Sequence, residues 1–122
     1  MEQRDQGSEG TEDRVQVINP WLGLRIGAVD YAVYLVENLA NSSTGNLCDG
    51  CVEWNESRIF INGNLDKQRR RYVLWHEIIH CITDHAGDLD LTTVEDEVAV
   101  TILAHGITQV LKDNPFLAEK DL

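Results

Sequence analysis

The chain of 122 residues has few cysteines, few basic side chains and no long apolar segment. Its three cysteines are Cys48, Cys51 and Cys81, an odd, small number that fits a reducing cytoplasm better than a disulfide-stabilised scaffold. No apolar run approaches the roughly 18 residues of a membrane span. The N-terminal residues also lack a basic region followed by an apolar one, so they do not resemble a secretory signal. We therefore expect a cytoplasmic protein.

Basic residues are scarce relative to acidic ones. Lysine and arginine together number 10, against 21 aspartates and glutamates, which gives a formal net charge of −11. A chain with this balance offers few contacts to phosphate groups. We therefore expect no nucleic-acid partner and no binding to an anionic membrane surface.

The length suits one domain with its own core. Residues 1–14 are polar and charged, which predicts a disordered acidic tail before a single domain over residues 15–122. Residues 23–40 fit a buried helix or a strand, but their β-branched and aromatic content favours strand, with Tyr31, Val33 and Leu35 on one face. Residues 51–64 predict a β-hairpin that has Ile59 and Ile61 on one face.

Two helices are predicted after the hairpin. The first has Asn64 or Asp66 as its N-terminal cap and closes at Gly87. A loop over residues 88–93 follows. The second helix has Thr92 or Thr93 as its cap and ends before Pro115.

The first helix carries the sequence L-W-H-E-I-I-H-C over residues 74–81. His76 and His80 are one turn apart on one helical face, so each can offer an imidazole nitrogen to the same ion. Glu77 is rotated by about 100° from His76, close enough to reach a metal-bound water. This H-E-x-x-H pattern is typical of zinc metallopeptidases, in which the glutamate is the general base. Such a short pattern also occurs by chance in many proteins. Here, however, it is embedded in apolar residues, and burying two histidines and a carboxylate without partners would be costly.

Catalytic zinc usually has three protein ligands and a water. The candidates for the third ligand are His85, Glu95, Asp96 and Glu97. The longer metzincin pattern would need glycine at 83 and histidine at 86, where this chain has Thr83 and Ala86. His85 is therefore more typical of a solvated residue or of a partner for the helix dipole. An acidic residue of the second helix is the better candidate, but spacing alone does not choose among the three.

These motifs resemble the small zincin-like metallopeptidases of the ImmA/IrrE group, especially a compact phage and prophage form. The matching segments span roughly residues 24–117 and read R-I-G-A-V-D-Y-A-V-Y-L-V-E-N-L, R-I-F-I-N-G-N-L, L-W-H-E-I-I-H and E-D-E-V-A-V-T-I-L-A-H-G-I-T-Q-V-L-K-D-N-P. The resemblance implies an α+β fold, in which a small antiparallel or mixed β-sheet packs with two core helices and zinc lies between the helices. For a phage-encoded protein, the compartment would be the host cytoplasm.

The resemblance also assigns roles to residues. The family's third ligand is a glutamate that opens the pattern E-x-x-A-x-x-F-A. Aligning F-A with Leu103 and Ala104 makes Glu97 that ligand, with Glu95 as the reserve. Thr101 stands where related zincins often have an acidic residue that supports a ligand histidine. His105, about two turns after Glu97, is a candidate donor to the oxyanion.

The implied function is a Zn²⁺-dependent peptidase that hydrolyses a peptide bond of a specific intracellular protein, such as a phage or host regulator. The alternative is a catalytically silent, zinc-stabilised protein-binding module, which the small size without an evident substrate domain keeps open. Glu77 favours the peptidase, because a purely structural zinc site does not need it.

Cys48 and Cys51 have no second C-x-x-C pair, so we interpret them as free thiols in a turn. The basic run over residues 67–71 is interpreted as a solvated helix face. The expected partner is a protein or peptide substrate, and the oligomeric state stays open.

Overall fold

The computed structural model describes residues 19–87, 95–119 and 122. Within them, four strands precede two α-helices and a short 3₁₀ helix. The elements are β1 (Leu22–Ile26), β2 (Val29–Val36), β3 (Gly50–Glu53), β4 (Arg58–Asn62), α1 (Lys67–His85), α2 (Asp96–Asp113) and the 3₁₀ helix (Pro115–Ala118). The predicted α+β class, with a small mixed sheet and two core helices, is confirmed. The predicted tail over residues 1–14 and the predicted loop over residues 88–93 lie outside the described residues. The predicted caps Thr92 and Thr93 are wrong, because α2 begins at Asp96 and has Glu95 as its N-cap, without a side-chain hydrogen bond.

The sheet is mixed, with strand order β1-β2-β4-β3. β1 pairs with β2 and β3 pairs with β4 in the antiparallel sense, whereas β2 and β4 are parallel. β4 therefore has a neighbour on each side, and β1 and β3 are the two edges of the sheet in the described part of the chain. The predicted hairpin over residues 51–64 corresponds to β3 and β4.

The segment over residues 23–40, which fitted either a helix or a strand, contains most of a β-hairpin of β1 and β2. Gly27 provides the turn, with a φ of 61° that residues other than glycine rarely adopt. Beyond the turn, Tyr31 and Val33 face the helices, while Val36 faces the opposite side of the sheet. This alternation confirms the predicted two-faced strand.

The main core lies between one face of the sheet and the two helices. Leu74, Ile78 and Cys81 of α1 are fully buried against Ile59 and Ile61 of β4. A smaller cluster on the other sheet face contains Val36, Leu39 and Phe60, with Tyr34, Cys48 and Cys51 packed around it.

α1 has the ends that the sequence predicted. The Asp66 carboxylate accepts a hydrogen bond from the Arg69 backbone N–H at 2.8 Å, which caps the first turn. Gly87 follows the last turn with a φ of 99°. The basic run at its start is not simply solvated, because the Arg70 guanidinium lies 5.1 Å from the Trp21 ring centroid and Arg71 donates to two backbone carbonyls near the 3₁₀ helix.

α2 lies against the C-terminal half of α1 and against β1. A Cβ on Gly106 would lie 2.4 Å from Ile82 Cγ2, so glycine allows the two helices to approach this closely. Near its end, the Asn114 side chain bonds to both the N–H and the carbonyl of Arg25 in β1. Asp113 ends the helix before Pro115, as predicted.

Candidate metal and catalytic site

His76 and His80 lie side by side on the exposed face of α1. Their Nε2 atoms are 3.3 Å apart. An ion that holds two imidazole nitrogens at about 2.0–2.1 Å in tetrahedral geometry separates them by about 3.3–3.4 Å. The two rings are therefore already at the separation that a shared zinc ion requires, and these residues fit the metal that the sequence predicts.

Glu77 lies beside this pair but points towards β3. It is 6% exposed, and a Cβ built on Gly50 would lie 3.1 Å from its Oε2 atom. Burial raises the pKa of the Glu77 carboxyl, and the neighbouring His76 and His80 oppose that rise. A carboxylate with a raised pKa is a better proton acceptor, which suits a general base.

A cleft of about 410 Å³ opens between the first half of α1 and the segment that leads into β3. Its walls include Leu47, Cys48, Asp49, Gly50, Arg69, Tyr72, Val73, His76 and Glu77. Arg69 crosses the cleft to Asp49, with 3.2 Å between its Nη2 atom and the Asp49 Oδ2 atom. Sequence reasoning missed Leu47, Asp49 and Arg69, because no local spacing relates residues 47–50 to a helix that starts at residue 67.

The third ligand stays a prediction. Among the described residues, no group of three or more His, Cys, Asp or Glu side chains is close enough to hold an ion. Glu95 and Glu97 are exposed at the start of α2. The half-buried positions of this first part of the helix are Ala99, Ile102 and Leu103, so Glu97 is not on the packed face.

The structure places His105 and Thr101 in a different pocket. Both line a pocket between α2, the end of α1 and the Gly27 turn, and the cleft beside Glu77 includes neither of them. Neither the oxyanion role of His105 nor the supporting role of Thr101 gains support from this placement. His85 lies in the same pocket, with its Nε2 atom 2.9 Å from the Tyr31 hydroxyl. A Cβ on Gly27 would clash with the His85 ring, so glycine leaves room for it. His85 is exposed in the last turn of α1, which agrees with the interpretation of a solvated residue near the helix end.

The three cysteines are free thiols in the described structure. Cys51 lies in β3 and not in a turn as predicted, while Cys48 precedes the strand. Burial raises the pKa of the Cys48 thiol and raises that of Cys51 to about 12. These thiols are protonated at neutral pH, which agrees with the interpretation as free thiols.

No family model matches the chain, and comparison with curated proteins and with solved structures gives no significant match. The α+β class therefore rests on the structure, and the zincin hypothesis rests on the motifs and on the geometry of the site. Within the described ranges, neither helix combines the length and the apolar character that crossing a membrane requires.

Proposed function

We propose that this protein is a zinc-dependent peptidase. His76 and His80 hold the ion, and a carboxylate from the start of α2 completes the site, with Glu97 as the predicted ligand. The observation that carries the proposal is the 3.3 Å separation of the two Nε2 atoms next to a buried glutamate.

The chemistry follows from the position of Glu77. A bound Zn²⁺ would supply Lewis acidity, which would polarise a substrate carbonyl and make water easier to deprotonate. Glu77 accepts the proton from the attacking water and delivers it to the leaving amine. Burial of Glu77 against β3 holds the carboxyl on the side of the histidine pair that faces the cleft.

An extended substrate has a suitable backbone partner in β3. A peptide cannot add to β4, because β4 is already paired on both sides. Asn62 N–H donates to the Asp49 carbonyl, so by antiparallel alternation the backbone groups of Gly50 and Val52 face the open edge. A substrate strand can add to this edge and pass directly beside Glu77.

The decisive experiment measures zinc content and hydrolysis on the same samples. The Glu77→Gln protein should bind zinc in the same molar ratio as the parent and lose cleavage of a generic fluorogenic peptide mixture by at least 100-fold, because the general base is gone. Equal cleavage by parent and Glu77→Gln would overturn the assignment of the base. His76→Gln should lose zinc.

The third ligand is tested in parallel by comparing Glu95→Gln, Asp96→Asn and Glu97→Gln. We expect Glu97→Gln to lower zinc affinity most, because a catalytic zinc needs a third protein ligand. Retention of full affinity in Glu97→Gln with loss in either of the others would move the ligand to that position.

A zinc-stabilised binding module remains the second candidate. The observation that favours it is the pair of exposed apolar side chains, Leu47 and Tyr72, at the cleft. Binding of peptides by the zinc-loaded parent without any cleavage would support this function over the peptidase.

A further inference from the structure

We propose that the cleft beside His76 and Glu77 selects an extended peptide with a large, uncharged apolar side chain, and that Leu47 and Tyr72 are its specificity residues. That the recognised peptide side chain lies next to the bond to be cut rests on the proposed function. Recognition of this side chain is independent of the proposed function, because it depends only on the cleft walls.

Each of the two walls of the cleft carries an exposed apolar side chain. Leu47 is 69% exposed and comes from the segment before β3, whereas Tyr72 is 58% exposed and lies one turn before His76 on α1. Apolar side chains that converge on a concave surface are typical of ligand sites. A leucine or an aromatic side chain placed between them would remove both from water.

The charges of Arg69 and Asp49 in the cleft compensate each other. Arg69 and Asp49 form an ion pair at 3.2 Å, and the Arg69 guanidinium also lies 5.0 Å from the Tyr72 ring centroid. The guanidinium therefore helps to hold the Tyr72 ring in place. A charged substrate side chain would have to compete with a partner from the protein itself, which favours an uncharged occupant.

The backbone geometry fits the same occupant. Gly50 and Val52 direct their backbone groups to the open edge of β3, and an added strand would point alternate side chains towards α1. Gly50 contributes no side chain at the point where the edge meets Glu77. The volume of about 410 Å³ is near the lower end of ligand pockets, which accommodates one or two side chains.

The experiment measures peptide binding separately from cleavage. Glu77→Gln protein, with and without added zinc, is used to select from a displayed random peptide library, and selected peptides are assayed by fluorescence anisotropy. Leu47→Ser and Tyr72→Ser are compared in the same background. The matched control is Trp54→Ser, since Trp54 is an exposed apolar residue, 47% exposed, that does not line the cleft. All three side chains are exposed, and thermal unfolding checks that each variant is folded.

We expect enrichment of leucine, methionine, phenylalanine or tyrosine at one peptide position. Leu47→Ser and Tyr72→Ser should each weaken binding by at least tenfold, and Trp54→Ser should not. Absence of enrichment, enrichment of charged residues, or equal binding by all variants overturns the proposal. It is also overturned if light scattering shows that Leu47→Ser only dissociates a dimer. Cleavage of the selected peptides by the parent is scored separately: binding without cleavage supports this recognition and overturns the peptidase function.

Discussion

Gly50 is the residue at which β3 comes closest to the candidate base. A Cβ at this position would lie 2.7 Å from Val73 Cγ1 as well as 3.1 Å from the Glu77 carboxyl. Its φ is not in the left-handed region, so the constraint is space and not backbone strain. The site thus depends on the lack of a side chain at Gly50. A search of the sequence for functional groups does not detect such a residue.

Substitution of this glycine gives a direct test of the contact. Gly50→Ala should lower the free energy of unfolding by about 1–3 kcal/mol, because the added methyl group must push Val73 or Glu77 aside. Urea unfolding measures the loss. Gly23→Ala in β1 is the matched control, since nothing lies within 4 Å of a Cβ built there. Equal stability of the two variants would contradict the close packing of Glu77 against β3.

The thiol of Cys51 should be unreactive although its side chain is only partly buried. Burial raises the pKa of Cys51 to about 12, so its thiolate is rare at pH 8. Iodoacetamide should modify Cys51 at least tenfold more slowly in the folded protein than in urea-unfolded protein, as followed by mass spectrometry of peptides. The native rate should keep rising with pH beyond 9, where an unperturbed thiol is already ionised. A native rate that levels off near pH 9 would contradict the raised pKa.

At the scale of elements, the two edges of the sheet differ. The C-terminal part of the β1 edge is covered, because Asn114 accepts from the Arg25 N–H and donates to its carbonyl, and Gln109 accepts from the Gly27 N–H. The edge of β3 next to the cleft is left available for an added strand in the described part of the chain. The D-N-P sequence at the end of α2 thus has a structural role, since its asparagine closes one edge and its proline ends the helix.

Asn114→Ala tests the closing of the β1 edge. Asn114 is 3% exposed and also donates to the Val110 carbonyl, so its removal leaves several backbone groups without their partner. We expect a loss of about 1–3 kcal/mol in the free energy of unfolding, the range for buried groups left unsatisfied. Asn46→Ala, at an exposed asparagine, should change stability little and serves as the control in the same denaturant titration. A similar loss in both variants would mean that Asn114 does not hold this edge.

The sequence predicted those parts of the fold that depend on local periodicity. The spacing of His76, Glu77 and His80 sets their relative positions on a helix without any tertiary information. The alternation in residues 31–36 predicted a two-faced strand for the same reason. The parallel pairing of β2 with β4 was not predictable, because it depends on how a connection of more than twenty residues crosses the sheet. The residues Leu47 and Arg69 line the same cleft only because of how this connection folds, so the sequence did not predict them as cleft residues.

At the scale of the whole molecule, metal and stability are coupled. A ligand that binds the folded state alone raises the free energy of unfolding by RT ln(1 + [L]/Kd), which is about 2.7 kcal/mol at a free concentration of one hundred times Kd. The paired imidazoles exist as a pair only in the folded helix, so zinc bound there should stabilise the entire domain and not one loop. Adding a chelator should lower the free energy of unfolding by the same amount.

The location of the ion decides which substitutions abolish that effect. Zinc at one hundred times its Kd should raise the Tm of the parent by about 10 °C, since 1 kcal/mol corresponds to roughly 4 °C for a domain of this size. His80→Gln should remove the rise, because one imidazole cannot hold the ion at the pair. His105→Gln should retain it, since His105 lies in the pocket near Gly27 and not beside His76. Differential scanning fluorimetry with and without a chelator measures all three proteins. A zinc-induced rise in Tm that is retained in His80→Gln but absent in His105→Gln would place the metal in the pocket near Gly27. Glu77 would then not lie beside the ion, and its assignment as the base would be wrong.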